Sequence, residues 1–244
     1  MKIAVMGGTG LIGSQVVEIL RAAGHDAVPH SQSTGVDLLT GQGLPEALKG
    51  AEVVVNLTNS PTFDEASPAF FQTTMDNLLA AAEQAGVGHA VVLSIVGVDL
   101  VPDLAYYRAK VLQEDILKAG PVPYSIVRAT QFFEFMGAVM SWTADENTVR
   151  LPSNPLQPIA AADVAQAVAD VSMGAPLRGI RNIAGPDVFP LDELGRITLA
   201  AQGDKRTVTT DDSAGMFAAA PADALVAPDD AVLAPTSYRD WLAR

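Results

Sequence analysis

The chain opens with a short apolar run set directly before a cluster of glycines. Ile3, Ala4, Val5 and Met6 supply one buried strand, and glycines fall at 7, 8, 10 and 13. Leu11, Ile12, Val16, Val17, Ile19 and Leu20 follow at helical spacing, with Gly24 just beyond as a stop. Strand, glycine loop and helix in that order make a dinucleotide pyrophosphate site. Glycines let the backbone turn tightly and approach phosphate, and the helix start offers unpaired N–H groups and a positive dipole end. Gly8-x-Gly10-x-x-Gly13 fits one common spacing, and Gly7-x-x-Gly10-x-x-Gly13 fits another. The placement in the first strand–helix unit is what gives the match its weight.

The alternation continues. Residues 25–30 read as a second strand, 35–38 as a short third, 44–49 as a short helix and 51–57 as a buried fourth strand. Ser67-Pro68 reads as a cap followed by proline at the first helical position, opening a helix that runs to Gly86. Residues 89–96 form a fifth strand, Asp103 to Ala119 a helix closed by Gly120, and 123–128 a sixth strand. Continuous apolar strands separated by helices predict an α/β fold, a doubly wound parallel sheet covered on both faces. The pattern changes near residue 130, where Phe132, Phe133, Phe135, Met136, Met140 and Trp142 concentrate apolar surface. Helices near 163–172 and 191–202 and strands near 180–184 and 206–210 complete a small C-terminal α+β cap. The expected organisation is therefore a dinucleotide-binding unit over 1–130 and a substrate cap over 131–244, packed as one compact unit.

Composition removes several classes of function. A net charge of −13 repels phosphate backbones, which argues against nucleic acid as a partner. It also requires that any dinucleotide be held by local backbone donors. The chain has no cysteine, which excludes disulfides and thiol chemistry. Apolar runs are far shorter than a membrane span, and the first strand begins at once, leaving no room for a signal peptide. The expected location is the cytoplasm. His25, His30 and His89 show no ligand spacing, so no metal is expected.

Tyr106-x-x-x-Lys110 is the constellation that can carry chemistry, because residues four apart share one helix face. A lysine cation beside a phenol favours phenolate and lowers the tyrosine pKa from about 10. Such a tyrosine can exchange a proton with a carbonyl oxygen while hydride moves to or from a nicotinamide, and the lysine can also reach the nicotinamide ribose. Ser94 closes the run Val91-Val92-Leu93, near the carboxyl end of a strand where open α/β sheets bind ligands. Its hydroxyl is a candidate donor to substrate, or a simple cap on the turn.

The opening Gly-Gly-Thr-Gly-Leu-Ile-Gly, Leu93-Ser94-Ile95-Val96-Gly97-Val98-Asp99, Tyr106-Tyr107-Arg108-Ala109-Lys110 with Glu114 following, and Val127-Arg128-Ala129-Thr130-Gln131-Phe132 together resemble an atypical short-chain dehydrogenase/reductase of the NmrA-like, NAD(P)-binding group. Gln157-Pro158-Ile159 with Asp163, and Gly185-Pro186, resemble the cap of that group, so the likeness spans nearly the whole chain. The resemblance implies a Rossmann-type fold. It implies that Gly7, Thr9, Gly10, Leu11 and Ile12 line the pyrophosphate, that Asp37 and Leu38 flank the adenine, and that Leu57, Thr58 and Asn59 follow the ribose. Ser94, Tyr106 and Lys110 would match the catalytic set. Ala129 and Thr130 would lie near the nicotinamide, and Gln131, Phe132 and Phe133 near the substrate. Pairing of two copies through the 103–119 helix is implied in the same way, leaving monomer or homodimer open.

Two departures bear on function. Ser94 and Tyr106 are only twelve residues apart, shorter than the family's usual separation, and Tyr107 is the alternative inward residue. NAD-specific sites place an acid near the end of the second strand to hold the ribose 2′-hydroxyl. Ser31, Gln32 and Ser33 stand there instead, Asp26 lies at the wrong end of that strand, and Asp37 belongs to the next one. The missing acid leans toward NADP(H), with NAD(H) still possible, since no arginine is present for a 2′-phosphate. The leading expectation is an NAD(P)H-dependent oxidoreductase acting on a small carbonyl or quinone-like molecule. A non-catalytic NADP-binding redox sensor is the alternative, and sugar epimerisation or dehydration with the same cofactor is a weaker third.

Overall fold

The structure is a computed structural model that describes residues 1–221 and 223–243. Its elements in order are β1 Lys2–Met6, α1 Leu11–Ala22, β2 Asp26–His30, α2 Leu44–Leu48, β3 Val53–Asn56, α3 Ser67–Ala85, β4 His89–Ile95, α4 Ala105–Ala119 and β5 Tyr124–Ala129. Then follow α5 Met136–Ser141, β6 Thr148–Leu151, β7 Pro155–Leu156, α6 Ala161–Met173, β8 Ile180–Ala184, β9 Phe189–Pro190, α7 Leu191–Gln202, β10 Thr207–Thr210, β11 Val232–Leu233 and α8 Tyr238–Leu242. A central seven-stranded sheet has the order β11-β8-β5-β4-β3-β1-β2. Its β1–β2, β1–β3, β3–β4 and β8–β11 pairings are all parallel. The fold is the Rossmann-like parallel sheet with flanking helices that the alternation of strands and helices predicts.

The chain forms two compact units, Met1–Arg128 with Val164–Arg181, and Ala129–Asp163 with Asn182–Arg244. The first takes in a stretch, 164–181, that the sequence pattern groups with the second. In the first unit β1 and β3 are buried along nearly their whole length, with Ile3, Ala4, Val5 and Val55 at 0% exposure. Both faces are covered, which is why these strands read as unbroken apolar runs. One core joins Ala4, Met6, Val54 and Val92 of the sheet to Leu78 and Leu79 of α3 and Leu117 of α4.

Two local expectations are corrected. Residues 35–38 form no strand. A 3₁₀ turn at Gln32–Thr34 and Gly35 at φ +88° bend the chain away, and Asp37 makes only an isolated bridge to Gln42. Val36 and Leu38 are buried at alternate positions, which mimics a strand, but Asn77 Nδ2 binds the Leu38 and Leu39 carbonyls at 2.9 and 3.1 Å. With no strand there, the order across the first unit becomes 2-1-3-4-5, whose topological switch lies between β1 and β3. The start of α3 also shifts by one residue. Ala66 is the cap and Ser67 the first helical residue, because the Ser67 hydroxyl is used on the Thr62 carbonyl at 2.7 Å.

The second unit is built from two small ladders, β6–β10 parallel and β7–β9 antiparallel. Sequence patterning missed β6, β7, β9, β11 and α8, all of five residues or fewer. Gln157 ties the unit together, donating to the Gly185 carbonyl and accepting from the Ala227 N–H, each at 2.9 Å. A Cβ on Gly185 would lie 1.8 Å from the Pro158 carbonyl, so this close approach requires glycine. Phe133 packs against Tyr238 and Trp241 with ring centroids 4.9 and 5.6 Å apart.

Candidate functional site

The loop between β1 and α1 turns on Gly7, at φ +75°. The Gly7 and Gly8 N–H groups donate to the His30 carbonyl at 2.9 and 3.2 Å, which fastens the loop to the end of β2. A Cβ on Gly7 would stand 3.0 Å from the Leu57 backbone, one on Gly8 would stand 2.7 Å from the Val5 carbonyl, and one on Gly13 would stand 2.1 Å from the Gly7 carbonyl. The protein's own packing requires these three glycines. Gly10 differs: a Cβ there would meet only the Gly7 carbonyl, at an ordinary 3.4 Å. Gly10 is also the cap of α1 and has no capping side chain, so the first N–H groups of α1 have no intrahelical acceptor. Open space over Gly10, uncapped donors and the positive end of the helix dipole fit a pyrophosphate. Thr9, Gly10 and Leu11 are exposed at this edge, and Ile12 is buried beneath it.

Gly7 also lies beside Leu57 and Thr58, so the loops after β1 and β3 meet at the topological switch. Asn56, at the end of β3, shapes the second loop by accepting from the Thr58 N–H at 3.1 Å and the Thr58 hydroxyl at 2.7 Å. At the end of β2, Ser31 opens the 3₁₀ turn with its N–H on Thr34 Oγ1 at 2.8 Å, and its hydroxyl contacts that of Ser33 at 2.8 Å. Gln32 reaches the Asp37 carboxylate at 3.4 Å, and Asp37 also accepts from the Leu39 N–H at 2.8 Å. Asp37 therefore stands beside the Ser31–Ser33 turn and not on a separate strand.

Tyr106 and Lys110 share one face of α4, and Phe71 of α3 contacts both. Its ring lies 6.3 Å from that of Tyr106 and 5.0 Å from the Lys110 Nζ. The Tyr106 hydroxyl donates to Asn59 Oδ1 at 2.5 Å, and Phe63 packs edge-on against its ring at 4.8 Å. Lys110 is turned inward and is 4% exposed, with its Nζ donating to the Leu93 carbonyl at 2.7 Å and to Gln113 Oε1. Burial lowers the lysine to about 7. Burial likewise raises the Tyr106 phenol to about 12, against a smaller opposing pull from Asn59. The phenol is thus raised where a lowering by the lysine is expected, because its own desolvation dominates and the amine is turned to the Leu93 carbonyl and Gln113. Tyr107, the alternative inward tyrosine, is buried at 3%.

Ser94 is placed differently from the expectation. Its hydroxyl is buried and favours the ionised form of the Glu114 carboxylate, although it makes no well-aligned hydrogen bond. It presents no exposed donor to a substrate. Glu114 is fully buried and accepts from Arg128 Nε and Nη2, both at 2.8 Å, with Lys118 at 3.2 Å. Arg128 also reaches Asp99 at 3.0 Å. Desolvation pushes Glu114 up, but hydrogen bonds from Arg128, the nearby Ser94 hydroxyl and the Arg128 and Lys118 charges outweigh it and hold the carboxyl below its ordinary range. Removing Arg128 would strand that charge. Arg128→Met is expected to cost about 3 kcal/mol in denaturant unfolding, the low end for a broken buried pair because Lys118 still reaches Glu114. Adding Glu114→Leu should recover most of the loss.

Ala129, Thr130, Gln131, Phe132 and Phe133 all belong to the second unit. There Thr130 and Gln131 are buried, Phe132 is half-buried, and Phe133 sits in the aromatic cluster. Sequence reasoning missed Gln113, which meets Lys110 three residues back on α4, a spacing open to the sequence, and Met75, whose contact with Asn56 only the packing of α3 against β3 reveals. Among the described residues no cluster of His, Cys, Asp or Glu could hold a metal, and no helix is long and apolar enough to cross a membrane.

A parallel sheet with a glycine loop and an open helix start at its switch point defines a dinucleotide-binding Rossmann protein. A family model described as NAD(P)H-binding matches residues 7–173, more than half of the chain, and the chain belongs to that family. Its fold is similar to that of a nucleoside-diphosphate-sugar epimerase from Staphylococcus aureus, at 17% identity and a TM-score of 0.73, with 100% of each chain covered. It is also similar to a UDP-glucose 4-epimerase from Thermus thermophilus solved with NAD, at 18% identity and a TM-score of 0.68, covering 86% of each chain. A third similar structure is an NADPH-dependent quinone oxidoreductase from Escherichia coli, complexed with NADPH, at 21% identity and a TM-score of 0.68, covering 86% of this chain and 78% of that one. No curated protein matches the sequence.

Proposed function

We propose that the protein is an NAD(P)H-dependent reductase of the short-chain dehydrogenase/reductase type, acting on a small carbonyl or quinone-like molecule. The observation that carries the reading is the placement of Tyr106 and Lys110 on one face of α4, with the phenol donating to Asn59 and the buried amine held by Leu93 and Gln113. The bound nicotinamide supplies hydride. Gly7, Gly10 and the first N–H groups of α1 hold the pyrophosphate, Thr9, Leu11 and Ile12 border it, and Leu57, Thr58 and Asn59 follow the ribose. A phenol held near 12 keeps its proton across the working range, which suits a proton donor to a substrate oxygen and thus the reductive direction. Asn59 orients that proton until a substrate oxygen replaces its amide as acceptor. Lys110, which burial lowers to about 7, can hold or release a proton near neutral pH on the same helix face.

NADPH is the proposed partner over NADH. Ser31 and Ser33 present hydroxyls at the end of β2, and the Asp37 carboxylate nearby is engaged by Leu39 and Gln32. Asp37 and Leu38 border the adenine in this reading. Calorimetric titration with NADPH and NADH, followed by nucleotide consumption with enones, aldehydes and quinones, tests it. Tighter NADPH binding with consumption supports the reading, and equal or tighter NADH binding sinks the preference. One observation favours the second reading, a nucleotide sensor: the only proton of Tyr106 is already engaged by Asn59. Tight binding with no consumption would select that reading.

A further inference from the structure

A chain of buried polar groups runs beneath the loop after β3 and ends on Lys110. The Asn56 side chain, whose oxygen orders Thr58, donates through Nδ2 to the Met75 thioether at 3.3 Å. Gln113 Nε2 donates to the same sulfur at 3.8 Å, and Gln113 Oε1 accepts from the Lys110 Nζ. Asn56 is 2% exposed, and Met75 and Gln113 are 0% exposed. An amide buried this completely at a helix face is costly unless both of its ends are used. Here one end is spent on a weak thioether acceptor, and the other is the partner of a buried amine. We propose that Gln113 is the positioning residue for Lys110: its amide oxygen and the Leu93 carbonyl fix the amine, and its amide nitrogen ties that amine through Met75 to Asn56 and the 57–59 loop.

Two features favour a positioning role over plain packing. A leucine would fill the same volume at this helix position without needing a hydrogen-bond partner. The amide also supplies a dipole and no charge, so it fixes the amine without forcing it to stay protonated. The groups around Lys110 bear this out. Phe71 faces it from α3, the Leu93 carbonyl from β4, and Tyr106 and Glu114 stand one turn away on α4. Glu114 is the charged group that acts on the lysine, and its own charge is answered by Arg128 and Lys118. The amine therefore has one replaceable neutral partner, and that partner is Gln113.

The inference rests on the reading of Lys110 as part of the reacting site, but it can fail separately. The test is a carbon-13 titration of lysine side chains in the full-length protein, with Lys110 assigned by loss of its signal in Lys110→Met. Gln113→Glu keeps the shape and adds a charge, and should raise the Lys110 midpoint by about one unit or more. Gln113→Leu removes the acceptor and should lower it. NADPH affinity should fall several-fold in Gln113→Leu, because the tie to the 57–59 loop is cut. Opposite shifts in the two variants support the positioning role. If Gln113→Leu does not fold, the Gln113→Glu shift alone decides. A midpoint unchanged in Gln113→Glu overturns the inference. Normal shifts combined with full turnover in Lys110→Met would instead overturn the reading of Lys110 and leave the Gln113 assignment standing.

Discussion

Gly13→Ala is expected to destabilise the nucleotide loop and weaken its binding, whereas Gly10→Ala should weaken binding alone. The added Cβ at Gly13 would lie 2.1 Å from the Gly7 carbonyl and 2.7 Å from the Gly8 Cα, both backbone atoms with no freedom to move aside. Relief requires α1 to separate from β1, which exposes Val16, Val17 and Leu20 of the core. A loss of about 3–5 kcal/mol is expected, on the scale of a severe core disruption. At Gly10 the new methyl group meets the Gly7 carbonyl at 3.4 Å, and the backbone there has φ −84°, which alanine adopts freely. The fold should be unchanged or slightly stabilised, as for a glycine replaced at a compatible site. The methyl group would occupy the space over the helix start where the pyrophosphate is proposed to lie, so NADPH affinity should fall by about tenfold to a hundredfold, or 1.4–2.8 kcal/mol. Thermal melts with and without NADPH separate the two variants. If Gly10→Ala kept full affinity, the pyrophosphate would have to lie elsewhere.

Lys110→Met should lower turnover by about a hundredfold to ten-thousandfold, the span of general acid–base contributions, while leaving the protein as stable as before or more so at neutral pH. Burying the amine is costly, and the thioether that replaces it is similar in length and needs no partner. The pH dependence of stability gives a second readout. Folding lowers the lysine from 10.5 to about 7. Between those values the unfolded chain holds a proton that the folded chain has released. Stability should therefore rise with pH through this window, at up to about 1.4 kcal/mol per unit, and the deficit is fully present below about 7. Lys110→Met should flatten the curve between about pH 7.5 and 9.5. Tyr106 at about 12 stays protonated throughout this range and does not contribute. Tyr106→Phe should also lose most of the turnover, with little change in melting temperature, because its hydroxyl meets only Asn59 at a half-buried position. An unchanged Tyr106→Phe rate would leave lysine as the only acid–base group.

The residues that settle the fold are the ones with periodic, local signatures. The glycine loop, the run Val53–Asn56 and the helix Leu191–Gln202 are all legible because burial on both faces or one face imposes a pattern on the sequence. The 35–38 segment defeats that logic. Val36 and Leu38 are buried at alternate positions, but Gly35, Gly41 and Gly43 at positive φ make the segment a compact turn. The short ladders of the second unit leave too few residues for any period to show. At the site, the face shared by Tyr106 and Lys110 was legible from spacing alone. The protonation of each group was not, because it depends on how deeply each is buried by neighbouring elements. Leu93, Gln113 and Phe71 draw the lysine inward from three different elements, and no local pattern encodes that choice. Ser94 shows the same limit: its position at a strand end was readable, but its burial beside the Glu114 carboxylate was not.

The bound nucleotide is proposed to react at the face formed by Tyr106 and Lys110. This is tested most directly with NADPH carrying deuterium at the reactive nicotinamide carbon, incubated with the wild-type protein and a panel of enones, aldehydes and quinones, with products read by mass spectrometry. Deuterium is expected in at least one aldehyde- or enone-derived product, or NADPH consumption with a quinone, at a rate that collapses in Lys110→Met. Tight NADPH binding with neither label in an aldehyde or enone product nor NADPH consumption with a quinone would contradict this and leave a nucleotide-binding protein that does no chemistry.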